Sequence, residues 1–312
     1  MSLPPLTVGA KVSLVRMEPV SADAERGSND DCRRYRVVGV TFDTRNAILD
    51  WEVTDDWGQR ERELQTANTS AIRMELLAEL GTTNGEAKIE NYRKLGVSPF
   101  TIIGSHRLHL SQVRSAYAHG DFYPALVGAG ALGERIYNDL ILTLRNDYAT
   151  HPSSPSSLMS ARSISSWSTA VRVLRDWGVI DEETRRKFLA LKELRNAAVH
   201  FDRSIDASSS PPALEAILIV QSIIATIFTP ESNPRYYIPG SAGATFLRRD
   251  AEVVPLVARI FLPHCGLVSP RNRFEPGHDP DGRQVMMLKD DIEYPPDPLT
   301  DEQFVHEFNS TT

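Results

Sequence analysis

The 312 residues include only two cysteines, Cys32 and Cys265, far apart and without a metal-ligand pattern around either. So few thiols exclude a disulfide-built scaffold and make a reducing cytoplasm the expected compartment. The start, Met1-Ser2-Leu3-Pro4-Pro5, lacks the basic and then apolar pattern of a secretory leader. A long uninterrupted apolar run is missing too. The longest, Ala213 to Phe228, carries Glu215, Gln221, Ser222 and Thr226 and falls short of the ~20 residues that span a bilayer. It reads as a buried helix, and no membrane partner is expected. Nor is there an excess of positive charge: the net charge is −7, which argues against a protein that coats nucleic acid. No internal repeat is visible. What remains is an ordinary globular composition, 41% hydrophobic and 24% charged, and the charge is unevenly spread. Residues 105–205 hold 13 Lys and Arg against 10 Asp and Glu, a mildly basic module between acidic flanks.

Residues 1–75 read as a small antiparallel β-rich domain. Val8, Val12 and Leu14 mark a first short strand, and Tyr35–Phe42 and Ala47–Val53 two more, with Asp43-Thr44-Arg45-Asn46 as a hairpin turn. Ser21 to Asp31 is a polar loop. A short helix over Ser70–Leu80 ends at Gly81, and residues 76–104 read as a linker, with Phe100–Ile103 extended. Residues 231–312, rich in proline, glycine and charge, form a C-terminal extension. Its end, Leu288 to Thr312, has seven acidic residues and one lysine and is expected to be a flexible acidic tail.

Between these flanks, residues 105–230 are helical throughout. A first helix stops at Gly120. A second begins near Pro124 and carries Leu126, Ile136, Tyr137, Leu140 and Leu144 along one side. Glycines 128, 130 and 133 lower its helix propensity, which makes sense if another backbone approaches closely there. Ile164, Trp167, Val171 and Leu174 mark a third amphipathic helix, capped by Gly178. A fourth starts at Asp181 as N-cap, with Glu182 and Glu183 at its positive end, and runs to about Phe201. An apolar fifth follows from Pro212. The fold class is therefore α+β, with an antiparallel helical bundle after a small β-rich unit.

The candidate chemistry lies near the end of the fourth helix, at Arg195-Asn196-Ala197-Ala198-Val199-His200. Arg-x4-His alone is weak: with 28 arginines and eight histidines, roughly two matches to Arg-x(4–6)-His arise by chance. Of the four Arg-Asn pairs, only those at 145 and 195 have a suitably spaced histidine, and His151 falls in a loop. In a continuous helix Asn196 and His200 lie about 40° apart and share a face, while Arg195 sits about 140° from His200. A histidine at a helix C-terminus has its cation favoured by the dipole and can exchange a proton near neutral pH. Glu134, beside Arg135 in the second helix, is a candidate supporting group near this cleft. Arg185-Arg186-Lys187 reads either as a solvated face or as a phosphate contact. His106 and His109 lack a third ligand, so no metal site is assigned.

The order of these features resembles a HEPN domain. The matching segments are Ala118-His119-Gly120-Asp121-Phe122-Tyr123, then Ala131-Leu132-Gly133-Glu134-Arg135-Ile136-Tyr137, then Trp177-Gly178-Val179-Ile180 and the Arg195–His200 motif, followed by the apolar helix. The resemblance covers a little over a third of the chain. It implies a homodimer in which two motifs form one composite cleft that cuts RNA. His200 would act as general acid or base, Arg195 would stabilise phosphate charge, and Asn196 would orient the histidine or contact the backbone. Attack by the ribose 2′-hydroxyl needs no metal, and no cofactor is expected. A setting in defence or toxin–antitoxin systems, with an antitoxin or regulatory partner, is implied by the resemblance alone. Some HEPN toxins carry a modifiable tyrosine two residues after the histidine; here that position is Asp202, which puts this route of control in doubt. The alternatives are a noncatalytic HEPN interaction module, which would bury or block the pair, and a nucleotide or small-ligand sensor, which would show a closed pocket.

Overall fold

A computed structural model describes residues 30–38, 43, 45–100, 103–200, 208–229, 233–278, 284–290 and 297–311. Its centre is α5 (Phe122–Leu144), whose Ala125, Leu126, Ala129, Leu132, Ile136, Tyr137, Leu140, Ile141 and Leu144 are buried. Such a helix has no polar face wide enough for the surface and must be surrounded. It is packed by α4 (Gly104–His119), α7 (Trp167–Asp176), α8 (Glu182–Val199) and α9 (Ser210–Phe228).

The boundary signals in the sequence act as they should. The Asp181 carboxylate accepts from Thr184 N at 2.7 Å and starts α8, and Ser166 caps α7. Gly120 (φ +93°) and Gly178 (φ +71°) adopt the left-handed conformation that ends helices α4 and α7. α9 is long and apolar enough to cross a membrane by length and composition. In the fold, its Ala213, Ala216, Ile217, Val220, Ile223 and Ile224 are fully buried against the bundle.

Outside the bundle several expectations are corrected. The strand expected over Ala47–Val53 is a short helix, α1 (Arg45–Leu49), followed by an exposed loop. The presumed turn residues start this helix, with Asp43 accepting from Arg45 N at 3.0 Å. Tertiary contacts override strand propensity here: Asn46 Nδ2 donates to Tyr92 O, and Gln65 Nε2 donates to Ile48 O. The helix expected from Ser70 begins earlier, so that α2 covers Gln59–Leu80. The expected linker holds α3 (Gly85–Lys94). Ile72, Leu76, Leu80, Ile89 and Tyr92 form a second cluster that closes on Ala118 of α4. The buried Arg114 of α4 reinforces this junction, donating to the carbonyls of Leu95 and Gly96.

The β structure also differs. β1 (Arg34–Val37) pairs antiparallel with β2 (Cys265–Val268), with Val37 opposite Cys265. It does not form a hairpin with its sequence neighbour. β3 (Arg273–His278) and β4 (Gln284–Lys289) form a second antiparallel pair. The residues expected as a first strand, near Val8, Val12 and Leu14, lie outside those described, as does Asp202.

The acidic C-terminus contains a packed helix, α10 (Asp301–Thr311), with Phe304, Val305 and Phe308 buried. These join Ile238, Phe246 and Val268 in a third cluster. Arg34 is almost wholly buried and donates to Asp301 at 2.6 Å. In this helix Glu302 is exposed while Asp301 is drawn in to Arg34, a pairing that composition does not reveal. Phe304→Ala should therefore cost about 3–5 kcal/mol, read as a lowered denaturation midpoint; an unpacked tail would leave it unchanged.

His106 is the one buried imidazole of α4. Its ring lies 5.0 Å from that of Phe228, and burial pushes its pKa down to about 4, with positive His109, Arg135 and His264 adding to the shift. It is neutral in the fold and ionises near 6.5 when unfolded. Stability from this residue is therefore present above pH 6.5 and is lost progressively as the pH falls towards 4. Between pH 7 and pH 5 the wild type should lose about 2 kcal/mol more than His106→Leu, measured by urea denaturation at both pH values.

Candidate active site

α5 and α8 run antiparallel and approach closely at one place. A Cβ added at Gly130 would lie 2.5 Å from Arg195 Cγ and 2.6 Å from Arg195 Cβ. One turn further on, a Cβ at Gly133 would collide with Leu191, and one at Gly128 would lie 2.9 Å from Val113 of α4. Gly130 and Gly133 thus serve the α5–α8 contact, with backbone (Arg195 Cα, 3.6 Å) approaching only at Gly130, whereas Gly128 faces α4.

The stem of Arg195 lies across Gly130 while its guanidinium stays partly in solvent, with the side chain 33% exposed. Its Nη1 donates to Asn196 Oδ1 at 3.3 Å, and its Nη2 is 3.8 Å from Glu134 Oε2. A pair this long and this exposed contributes little stability, and it leaves most donors of the guanidinium facing outward. Glu134 is therefore brought to the motif as the sequence reading anticipated. Beneath it, the Tyr137 hydroxyl donates to Ile164 O at 3.1 Å. Burial and the Glu134 carboxylate raise its pKa, so Tyr137 is a structural phenol and not an acid–base group.

α8 ends at Val199, two residues sooner than the pattern implied, and His200 is its C-cap with φ −98° and ψ 147°. The His200 N–H still donates to Asn196 O at 2.9 Å, so the two residues are stacked at the backbone as i and i+4. His200 departs from helical torsions and is exposed.

One residue at this end was not legible in the sequence. Tyr123, in the first turn of α5, donates its hydroxyl to Ala198 O at 3.1 Å. The contact joins positions 75 apart, and no spacing rule reaches that far.

Other sequence candidates resolve into structural roles. Arg145 Nη1 donates to Ala161 O at 2.7 Å and ties down the short helix α6 (Ser156–Ser160), while His151 Nδ1 accepts from Ser153 N. That Arg–His pair is a loop fastener. In the basic run, Arg185 is bonded to Glu182 and Lys187 pairs with Glu183 at 2.7 Å, so both are neutralised along their own helix. His106 and His109 gather no third ligand; among the described residues no cluster of three or more His, Cys, Asp or Glu side chains is arranged to hold a metal.

Along α8 and α9 lie two neighbouring depressions open to solvent, one lined by Leu194, Ala197 and Pro212 together with Glu193 and Glu215, the other by Leu214, Leu218 and Ile219 together with Lys187 and Glu215. Leu218 and Val199 are exposed at 42% and 47%.

Comparisons with protein-family models, with curated proteins and with solved structures find no match to this chain.

The close α5–α8 contact predicts that Gly130→Leu forces the two helices apart. Overpacking of this kind costs about 1–3 kcal/mol, seen as a fall in thermal midpoint. Ala131→Leu, one residue along on the exposed side of α5, should leave the midpoint within about 0.5 kcal/mol of wild type.

Proposed function

We propose that this chain is a metal-independent endoribonuclease of the HEPN type. The observation that carries the reading is the placement of Arg195 and His200. Arg195 lies in the last turns of α8 and His200 caps its end, both reach solvent, and among the described residues neither is held in a strong ion pair. A packing histidine would be buried, as His106 is. The helical bundle that carries the two residues supports the reading.

In this reading two chains associate so that their α8 ends face each other, with the depressions along α8 and α9 as part of the contact. One His200 takes the proton of the ribose 2′-hydroxyl as its oxygen bonds to the adjacent phosphorus. The other gives a proton to the departing 5′-oxygen. The products are a 2′,3′-cyclic phosphate and a 5′-hydroxyl. Arg195 from each chain stabilises the charge of the transition state through paired N–H donors, and Asn196 fixes the guanidinium on one side. A role in defence or in a toxin–antitoxin pair, with a regulatory partner, accompanies this proposal through the resemblance.

A second reading is a noncatalytic dimeric scaffold. The specific observation in its favour is Glu134, an acid close to Arg195, together with the self-neutralised charge of Arg185 and Lys187.

Labelled RNA incubated with the purified protein in EDTA separates the two. Wild type should cleave it to cyclic-phosphate ends. His200→Ala should lower the rate by about 10²–10⁴-fold and Arg195→Ala by about 10²–10³-fold. Arg195→Lys should not restore it, because a point charge cannot make the paired contact. Undiminished cleavage in His200→Ala would sink the nuclease reading.

A further inference from the structure

The nuclease reading leaves open what form of RNA enters the cleft, and Tyr123 bears on this. We infer that Tyr123 is a substrate-binding residue: its ring stacks against an unpaired base next to the phosphate that Arg195 and His200 address, so the substrate is single-stranded RNA. This inference rests on the proposed function.

Three observations support it. First, the ring is 52% exposed, although it belongs to the helix that forms the centre of the core. Second, it is exposed but not free to swing. Its hydroxyl is bonded to Ala198 O, two residues before His200 and three after Arg195. The neighbouring Phe122 ring packs on Tyr117 at 5.0 Å, which fixes the start of α5. An aromatic held in place loses little conformational freedom when a ligand covers it. Third, Tyr123, Val127, Ala131 and Glu134 follow one another at helical spacing on one side of α5. The first touches the end of α8, and the last reaches Arg195. Val127 is half-buried and Ala131 exposed and small, so the path between ring and guanidinium is low and apolar. Along the α8 backbone, Ala198 and Arg195 are roughly 5 Å apart, comparable with the separation of successive nucleotides.

A ring face stacks on any base and reads none of its edges, so this contact selects for unpaired nucleotides without selecting sequence. Among the described residues, the other exposed aromatic, Trp51, is a poor competitor. Its loop carries Asp50, Glu52, Asp55 and Asp56, which repel phosphate.

The experiment uses full-length protein and an oligoribonucleotide that is 2′-O-methylated, so that it cannot be cut, and carries 5-iodouridine. Irradiation followed by peptide mass mapping should place the adduct on Tyr123, and the same sequence in duplex form should give none. Tyr123→Ala should bind the single strand about 10- to 100-fold more weakly, whereas Tyr123→Phe, which keeps the ring, should retain most of the affinity and the adduct. The denaturation midpoint of each variant identifies any loss due to misfolding. The wild-type adduct tests the inference without any variant. If wild type cleaves RNA but crosslinks elsewhere, or if folded Tyr123→Ala binds as wild type does, this inference falls and the nuclease reading stands. An adduct on Tyr123 without cleavage would support the binding role and remove the nuclease. Neither cleavage nor any adduct would overturn both.

Discussion

The contact between α5 and α8 over Gly130 is the constraint on which the rest of the bundle depends. Because residue 130 has no side chain, the stem of Arg195 can lie directly against the α5 backbone. That separation sets where Leu191 meets Gly133 and Trp167, and it brings Tyr123 within hydrogen-bond reach of Ala198. Closer packing gives more dispersion contact per residue. It also leaves Arg195 little room at its base and a wide choice of directions at its tip. The same residue is thus part of the packing at one end and available for charge chemistry at the other.

The polar groups around the motif divide by burial. Tyr137 and Arg145 give their donors to backbone carbonyls and stabilise the scaffold. Arg195 and His200 remain at the surface, one leaning on Asn196 and Glu134, the other set beyond the end of its helix. Electrostatic interactions are weak where water screens them and stronger once a partner excludes it. Half-exposed polar groups on one chain are therefore suited to being completed by a second surface, as the composite site proposed above would require.

The bundle was legible in the sequence because its signals are local. Asp181, Ser166, Gly120 and Gly178 each act within one turn of their own position, and the apolar spacing of α5 and α7 needs no distant partner. The glycine triplet told of a close approach though not of its counterpart. Where the reading failed, the deciding contacts were distant. Ala47–Val53 alternates like a strand, yet Asn46 and Gln65 hold it as helix and loop through carbonyls of another element and through their own hydrogen bonds. β1 looked like half of a hairpin, but its partner lies near residue 266. The acidic end looked disordered because the three apolar residues that pack it are few among many charges. At the site, the candidate residues were legible as a spacing pattern. The end of α8 at Val199 and the tether from Tyr123 were not, since neither follows from a local pattern.

The pairing of β1 with β2, together with the Arg34–Asp301 bond between residues 267 apart, has a consequence for biosynthesis. On a ribosome, the helical bundle is complete once α9 has emerged, since its contacts are near in sequence. β1 must then wait, with its edge unpaired and Arg34 without its carboxylate, until almost the whole chain has been made. Long-range closure of this kind is slow and is the stage most exposed to wrong pairing. The growing polypeptide therefore carries a finished motif helix before its two ends have been fastened together.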